Sequence, residues 1–128
     1  MKQKNLINVR AAKIKDIKGI INVVALAYAD QGTYTESMIR GQITNFSEGC
    51  FVVTQDEKII AYSASLILSE KKALEKHTWH QITAGGFAST HDEDGDYLYG
   101  YETCVLPGLR GLRICLLYTS DAADDSLR

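Results

Sequence analysis

Apolar and polar positions change period several times along this chain, and each change marks an element. Leu6–Ala11 alternates, with Leu6 and Asn8 opposite Ile7 and Val9, and predicts a first strand. Over Lys13–Ala29 the period lengthens. Ile14, Ile17, Ile20/Ile21, Val24 and Ala27/Tyr28 recur at threes and fours, the apolar face of an amphipathic helix. Asp16 near its start suits the positive end of the helix dipole. Gly19 costs up to ~1 kcal/mol against alanine, so this helix rests on its periodicity. Gly32–Thr35 is a break, and Thr33 with Glu36 fits a capping box, Thr35 being the alternative cap. Met38/Ile39, Ile43 and Phe46 then form a second helical face, which Asn45–Gly49 ends.

Two apolar runs follow, Cys50–Gln55 and Ile59–Leu68, joined by Asp56-Glu57-Lys58; so short a polar link predicts an antiparallel hairpin. Ser69–Thr90 is harder to read. Glu70–Lys76 suits a short helix, Thr78–Ala84 a loop or strand, and Gly85-Gly86 a turn or a close backbone approach. Tyr97–Val105 alternates again, with Tyr97, Tyr99, Tyr101, Thr103 and Val105 expected on one face. Pro107 lacks an N–H and stops the ladder. If a helix starts next, its first unpaired N–H groups and its dipole would bind an anion.

The stretch Val105–Ile114 reads V-x-P-x-x-R-G-x-x-I and resembles the acyl-CoA-binding motif of the GNAT acyltransferase superfamily. That motif runs from the fourth strand into the third helix, and here it falls on Arg110, Gly111, Leu112, Arg113, Ile114 and Cys115. Arg113 stands where glycine is usual, and Cys115 where glycine or alanine is usual. The longer pattern of Trp79, Gly85, His91-Asp92, Asp94-Gly95-Asp96 and Tyr99–Val105 resembles a narrower group, in which a GNAT domain precedes a carbon–nitrogen hydrolase (nitrilase-like) domain and in which Arg113 is normal. The element order strand, helix, helix, strand, strand, loop, strand, helix start matches the N-terminal two-thirds of a GNAT domain.

The resemblance implies an α/β (α+β) fold with a mixed, mostly antiparallel sheet flanked by helices. It implies acetyl-CoA as cosubstrate, with transfer direct to a small-molecule or peptide amine. Backbone around Cys104 and Val105 would pair with the pantetheine arm, and N–H groups of Arg110–Ile114 would hold the pyrophosphate. An amide near Val105 would polarise the thioester carbonyl. Arg110 and Arg113 would add charge-assisted contacts to phosphate, or be solvated arginines. The general-acid tyrosine usual in such enzymes would lie beyond Ile114.

Cys115–Asp125, C-L-L-Y-T-S-D-A-A-D-D, resembles none of this; it resembles the translation of a transposase-type sequencing adapter, with Ser126-Leu127-Arg128 from index bases. The expected organisation is therefore a partial GNAT domain over 1–114 and a non-native tail over 115–128, the alternative being a true acidic C-terminus. On the first reading the natural chain breaks in the first turn of the pyrophosphate helix, truncated after the fourth strand.

Composition narrows the partners. The chain's 128 residues suit one domain, and 45% hydrophobic with 23% charged content is ordinary for a globular protein. A net charge of −2 gives no footprint for nucleic acid. No apolar run approaches the ~20 residues that a membrane helix needs. The three cysteines, Cys50, Cys104 and Cys115, have no metal spacing, and a reducing cytoplasm is the default compartment.

The candidate chemistry is then limited. His77, His80 and His91 with Asp92, Asp94 and Asp96 lack an EF-hand's glycine position and distal glutamate, and Asp-Gly is ordinary turn chemistry, so no metal is expected. Cys104 as a nucleophile lacks an assignable base and reads better as a small buried hydrophobe. Glu102 is the candidate general base for deprotonating an amine, directly or through water; its other reading is a paired or surface carboxylate on the face opposite Thr103 and Val105. Two further readings stay open: a non-catalytic acyl-CoA-binding regulatory module of the hydrolase, or an inactive truncated product.

Overall fold

The computed structural model describes residues 7–28 and 34–109. Strand β1 (Ile7–Ala11) is followed by a 3-10 turn (Ile14–Asp16) and helix α1 (Ile17–Ala27). Then come helix α2 (Glu36–Asn45), a 3-10 turn (Ser47–Gly49), and strands β2 (Cys50–Gln55) and β3 (Lys58–Leu68). Short helices α3 (Glu70–Leu74) and α4 (Trp79–Ile82) precede strand β4 (Tyr97–Val105). Among the described residues the strands form one antiparallel sheet in the order β1-β2-β3-β4. This is the expected α+β order of elements.

Several local expectations change in detail. The first helix opens as a tighter turn because Asp16 does not simply face the dipole. Its carboxylate takes a bidentate pair from Arg10 at 2.8 and 2.9 Å and also accepts the Lys13 N–H at 2.8 Å. Thr35 is the cap of α2, accepting the Met38 N–H at 3.2 Å, whereas Thr33 lies outside the described residues. The β2–β3 link is only Asp56-Glu57, both at positive φ (53° and 73°), a turn whose twist matches that of the hairpin. Thr78–Ala84 is neither plain loop nor strand. Thr78 caps the one-turn helix α4, exchanging hydrogen bonds with Gln81 (3.1 and 3.0 Å).

The core lies between the helices and one face of the sheet. Ile20, Val23 and Val24 of α1 and Ile39 and Ile43 of α2 are buried with Tyr62, Ala64, Leu66 and Leu68 of β3. The long connection from β3 to β4 is bound into this core by polar staples. Gln42, wholly buried on α2, donates to the Gly86 carbonyl at 2.7 Å and accepts the Tyr62 hydroxyl at 2.7 Å. Asn45 donates to the Phe87 carbonyl at 3.0 Å. Past Cys50, where β2 stops pairing, Ile67 turns its free edge to the connection: its N–H meets His91 Nδ1 at 3.0 Å and its carbonyl accepts the Asp92 N–H at 2.8 Å. Gly86 sits at φ 98°, and Gly95 crosses the Leu68 backbone so closely that any Cβ would collide with it. No helix among the described residues is long and apolar enough to cross a membrane.

Candidate active site

The fourth strand is not a regular ribbon. Ser65 faces Gly100 and the next residue back, Ala64, faces Glu102, so Tyr101 is an extra residue in β4, a β-bulge. The strict alternation expected over Tyr97–Val105 is therefore broken. Because partners across a sheet share a face, Tyr97 and Tyr99 lie with Leu68 and Leu66, but so do Glu102 and Cys104, with Ala64 and Tyr62. Thr103 and Val105 fall on the other face. One inserted residue moves Glu102 to the helix side.

There Glu102 meets two phenols from distant parts of the chain. Tyr28, just after α1, donates to Oε2 at 2.8 Å, and Tyr34, ahead of α2, donates to Oε1 at 2.5 Å. Burial, and then the charge of Glu102, push the Tyr34 phenol well above its ordinary pKa, so it stays a donor. The Tyr34 ring stacks on Trp79 of α4 (centroids 6.1 Å apart, planes at 21°). Trp79 Nε1–H in turn donates to the Tyr101 carbonyl at 2.9 Å, which fastens the long connection to the bulge. The Tyr101 hydroxyl is buried with no hydrogen-bond partner among the described residues; burial raises its pKa, with smaller effects from Cys50 and Glu102. The ion pair between described residues is Arg10–Asp16, and no described basic side chain pairs with Glu102.

Cys104 and Val105 are both buried near the end of β4. Leu106 N–H bonds the Ile60 carbonyl at 2.9 Å. By the two-residue period of an antiparallel ladder, Cys104 then exchanges bonds with Tyr62, whereas Thr103 and Val105 aim N–H and C=O away from β3. Pro107-Gly108 turns the chain, with Gly108 at φ 88°. Arg110, Gly111, Leu112, Arg113, Ile114 and the whole tail from Cys115 lie outside the described residues.

Among the described residues no three His, Cys, Asp or Glu side chains converge as metal ligands. His77 Nδ1 lies 2.8 Å from the Glu75 carbonyl, His91 is held by Ile67, and Asp92 Oδ1 caps the Asp94 N–H of a turn at 3.0 Å. The residues that sequence reasoning missed are Tyr28, Tyr34 and Trp79. Trp79 entered only as the first residue of the longer pattern that resembles the narrower GNAT group.

No family model matches the sequence. It is similar to a probable hydrolase, YhcX, of Bacillus subtilis (strain 168), with 28% identity over 106 residues covering 83% of this chain and 21% of that protein. The chain thus spans about a fifth of that relative's length. Its structure is similar to the loading GNATL domain of CurA from Lyngbya majuscula (TM-score 0.77, 22% identity, 96% of this chain and 61% of that one). It is also similar to the GphF GNAT-like decarboxylase in complex with isobutyryl-CoA (TM-score 0.80, 20% identity, 94% and 60%). A GNAT-family acetyltransferase from Streptococcus agalactiae 2603 superposes less closely (TM-score 0.61, 17% identity, 92% and 69%). With its sheet order, its two packed helices and these neighbours, the chain has the GNAT acyltransferase fold through its fourth strand.

Proposed function

We propose that this chain is the N-terminal part of an acyl-CoA-dependent N-acyltransferase that passes an acetyl group directly to an amine. The observation that carries it is the bulge in β4. It turns Glu102 to the helix side between Tyr28 and Tyr34, while Val105, three residues on, directs its N–H away from β3. A thioester laid along that side would place its carbonyl against this amide, which stabilises the developing oxyanion. The amine nitrogen attacks the carbonyl carbon, the C–S bond breaks, and the nitrogen gives up a proton to Glu102, directly or through water. The nitrogen becomes acidic as the N–C bond forms, which is when a carboxylate can take its proton. The CoA thiolate leaves and is protonated from solvent or from a residue beyond β4. The acyl-CoA complex of one structural neighbour supports the cosubstrate class.

The pyrophosphate cradle would be Arg110–Ile114 and the residue that follows, within a domain of 1–114; residues 115–128 are, on this reading, a non-native tail. The similarity to a probable hydrolase supports a parent with a downstream hydrolase domain, and also a second reading, a regulatory acyl-CoA-binding module of that hydrolase. Calorimetry with acetyl-CoA tests the cradle. The 128-residue chain is expected to show no micromolar binding, and micromolar binding would refute the view that the natural continuation is needed. The nucleotide sequence at codon 115 tests the tail: adapter sequence is expected. On a chain with its natural continuation, CoA release that depends on added amine supports transfer, whereas binding without release supports the regulatory module.

A further inference from the structure

The reading above depends on Glu102 facing the helices, and the place of the bulge in β4 sets that face. Nine residues of β4, Tyr97–Val105, lie against eight of β3, Ala61–Leu68, so one residue of β4 is extra. Both ends of the pair are pinned. The Asp96 N–H bonds the Leu68 carbonyl at 3.1 Å, and the Leu106 N–H bonds the Ile60 carbonyl at 2.9 Å. With its ends held, the bulge can move along the strand but cannot be removed. With Tyr101 extra, Glu102 stands opposite Ala64 and shares the helix side. With Thr103 extra instead, Glu102 would stand opposite Ser63 on the other face, and Tyr101 would take the place opposite Ala64.

The two registers differ in what satisfies one backbone group. An inserted residue is left out of the ladder. The Tyr101 carbonyl accordingly takes its bond from outside the sheet, from the Trp79 indole N–H at 2.9 Å. Opposite Ala64 that carbonyl would rejoin the ladder, because Ala64, like Tyr62 and Ile60, occupies a hydrogen-bonding position. Tyr101 is buried, so the observed register without a donor would leave its carbonyl desolvated and unpaired. Three contacts seat the indole for this task. Thr78 caps α4, which begins at Trp79; the ring stacks on Tyr34; and Gly86, where a Cβ would come within 3.3 Å of the ring, lets it lie close to the connection.

We propose that Trp79 is a positioning residue: its indole N–H selects Tyr101 as the inserted residue of β4 and so holds Glu102 on the helix side, where Tyr28 and Tyr34 donate to it. The register stands on the described residues alone, whereas its consequence for transfer rests on the reading of Glu102 as the base. The two can therefore fail separately.

Cross-strand contacts read the register without any turnover. The Hα atoms of non-hydrogen-bonded partners approach closely in an antiparallel pair, so the 128-residue chain is expected to show a nuclear Overhauser effect between Thr103 Hα and Ser63 Hα. Trp79→Phe keeps a ring for Tyr34 and removes the donor. It is expected to show a Glu102–Ser63 Hα contact that the parent lacks, with weaker contacts between the Tyr34 ring and Glu102. Tyr34→Phe spares the indole and is expected to keep the parental register. Only parental contacts in Trp79→Phe, or an equal shift in Tyr34→Phe, would overturn the proposal. Trp79 is the only tryptophan in the chain, so biosynthetic replacement by 3-benzothienylalanine, with sulfur in place of the N–H, repeats the test at unchanged ring size even if Trp79→Phe does not fold. In the unsubstituted protein the indole N–H is expected to exchange with solvent at least about tenfold more slowly than a free indole, and exchange at the free rate would overturn the proposal without any substitution. On a chain with its natural continuation, Trp79→Phe is expected to lower kcat for amine-dependent CoA release at least about tenfold, with the KM for acyl-CoA little changed. A shifted register with undiminished kcat upholds the role of Trp79 and overturns that of Glu102 as the base.

Discussion

At the scale of single residues, two polar groups carry opposite consequences. The Tyr101 hydroxyl is buried and unpartnered among the described residues, so the native state bears its desolvation without a compensating bond. Tyr101→Phe removes that penalty and keeps the ring. It is expected to raise stability by ~1 kcal/mol, read as a higher urea midpoint at unchanged slope. Asp16 is the reverse case, a buried carboxylate fully used by Arg10 and the Lys13 N–H. Hydrogen bonds from Arg10, the largest cause, hold its pKa below the ordinary carboxylate value against the opposing effect of burial. Its contribution is present above the unfolded-state pKa near 4 and is lost as the pH falls through the lower folded value. Asp16→Asn breaks the pair and is expected to cost about 2 kcal/mol at pH 7, since the Arg10 side chain is partly exposed and recovers solvation. The same substitution should flatten the acid limb of the stability curve below pH 4.

At the scale of elements, the long β3–β4 connection is seated by a histidine that must be neutral. The Ile67 N–H can only donate, so His91 Nδ1 accepts and its proton sits on Nε2. Its ring stacks on Phe46 at the end of α2 (4.2 Å, 16°). Burial lowers the His91 pKa below its ordinary value, and the facing charges of Glu93, Asp92 and Glu48 only partly oppose this. As the pH falls below about 6.5 the unfolded chain takes the proton first, so stability is full above that point and declines towards the folded-state value. Urea titrations between pH 7 and 5 are expected to show this decline, and His91→Phe to remove it, although that variant is less stable overall because the Ile67 N–H loses its acceptor. A slope that survives in His91→Phe would assign the effect to another group. The element itself was only half legible in sequence. Its short segments share no one periodicity: local caps and turns shape them, and bonds to α2, β3 and β4 seat them.

At the scale of the whole molecule, Gln42 joins three parts: α2, the Tyr62 hydroxyl of β3 and the Gly86 carbonyl of the connection. Gln42→Leu leaves two buried polar groups unpaired at about 1–3 kcal/mol each and is expected to destabilise the fold by roughly 3 kcal/mol. Amide exchange should rise first in residues 83–91, before the sheet, because the connection loses its anchor while the hairpin keeps its ladder.

Periodicity alone determined most of the elements: two amphipathic helices, the tight hairpin and the last strand each follow from residues near in sequence, where burial of one face sets the pattern. It was the resemblance to the GNAT motif, and not periodicity, that pointed to Glu102, Cys104 and Val105 on the last strand. Which way Glu102 points was decided only in three dimensions. A bulge is defined by the partner strand, through the offset between Ser65 and Ala64, and one inserted residue reverses every face beyond it. Tyr28, Tyr34 and Trp79 stand far from Glu102 along the chain and share no spacing with it; they meet it because α1, α2 and the connection all pack on one side of the sheet. Local pattern specifies which residues can be buried, and tertiary packing specifies which polar groups end up facing one another.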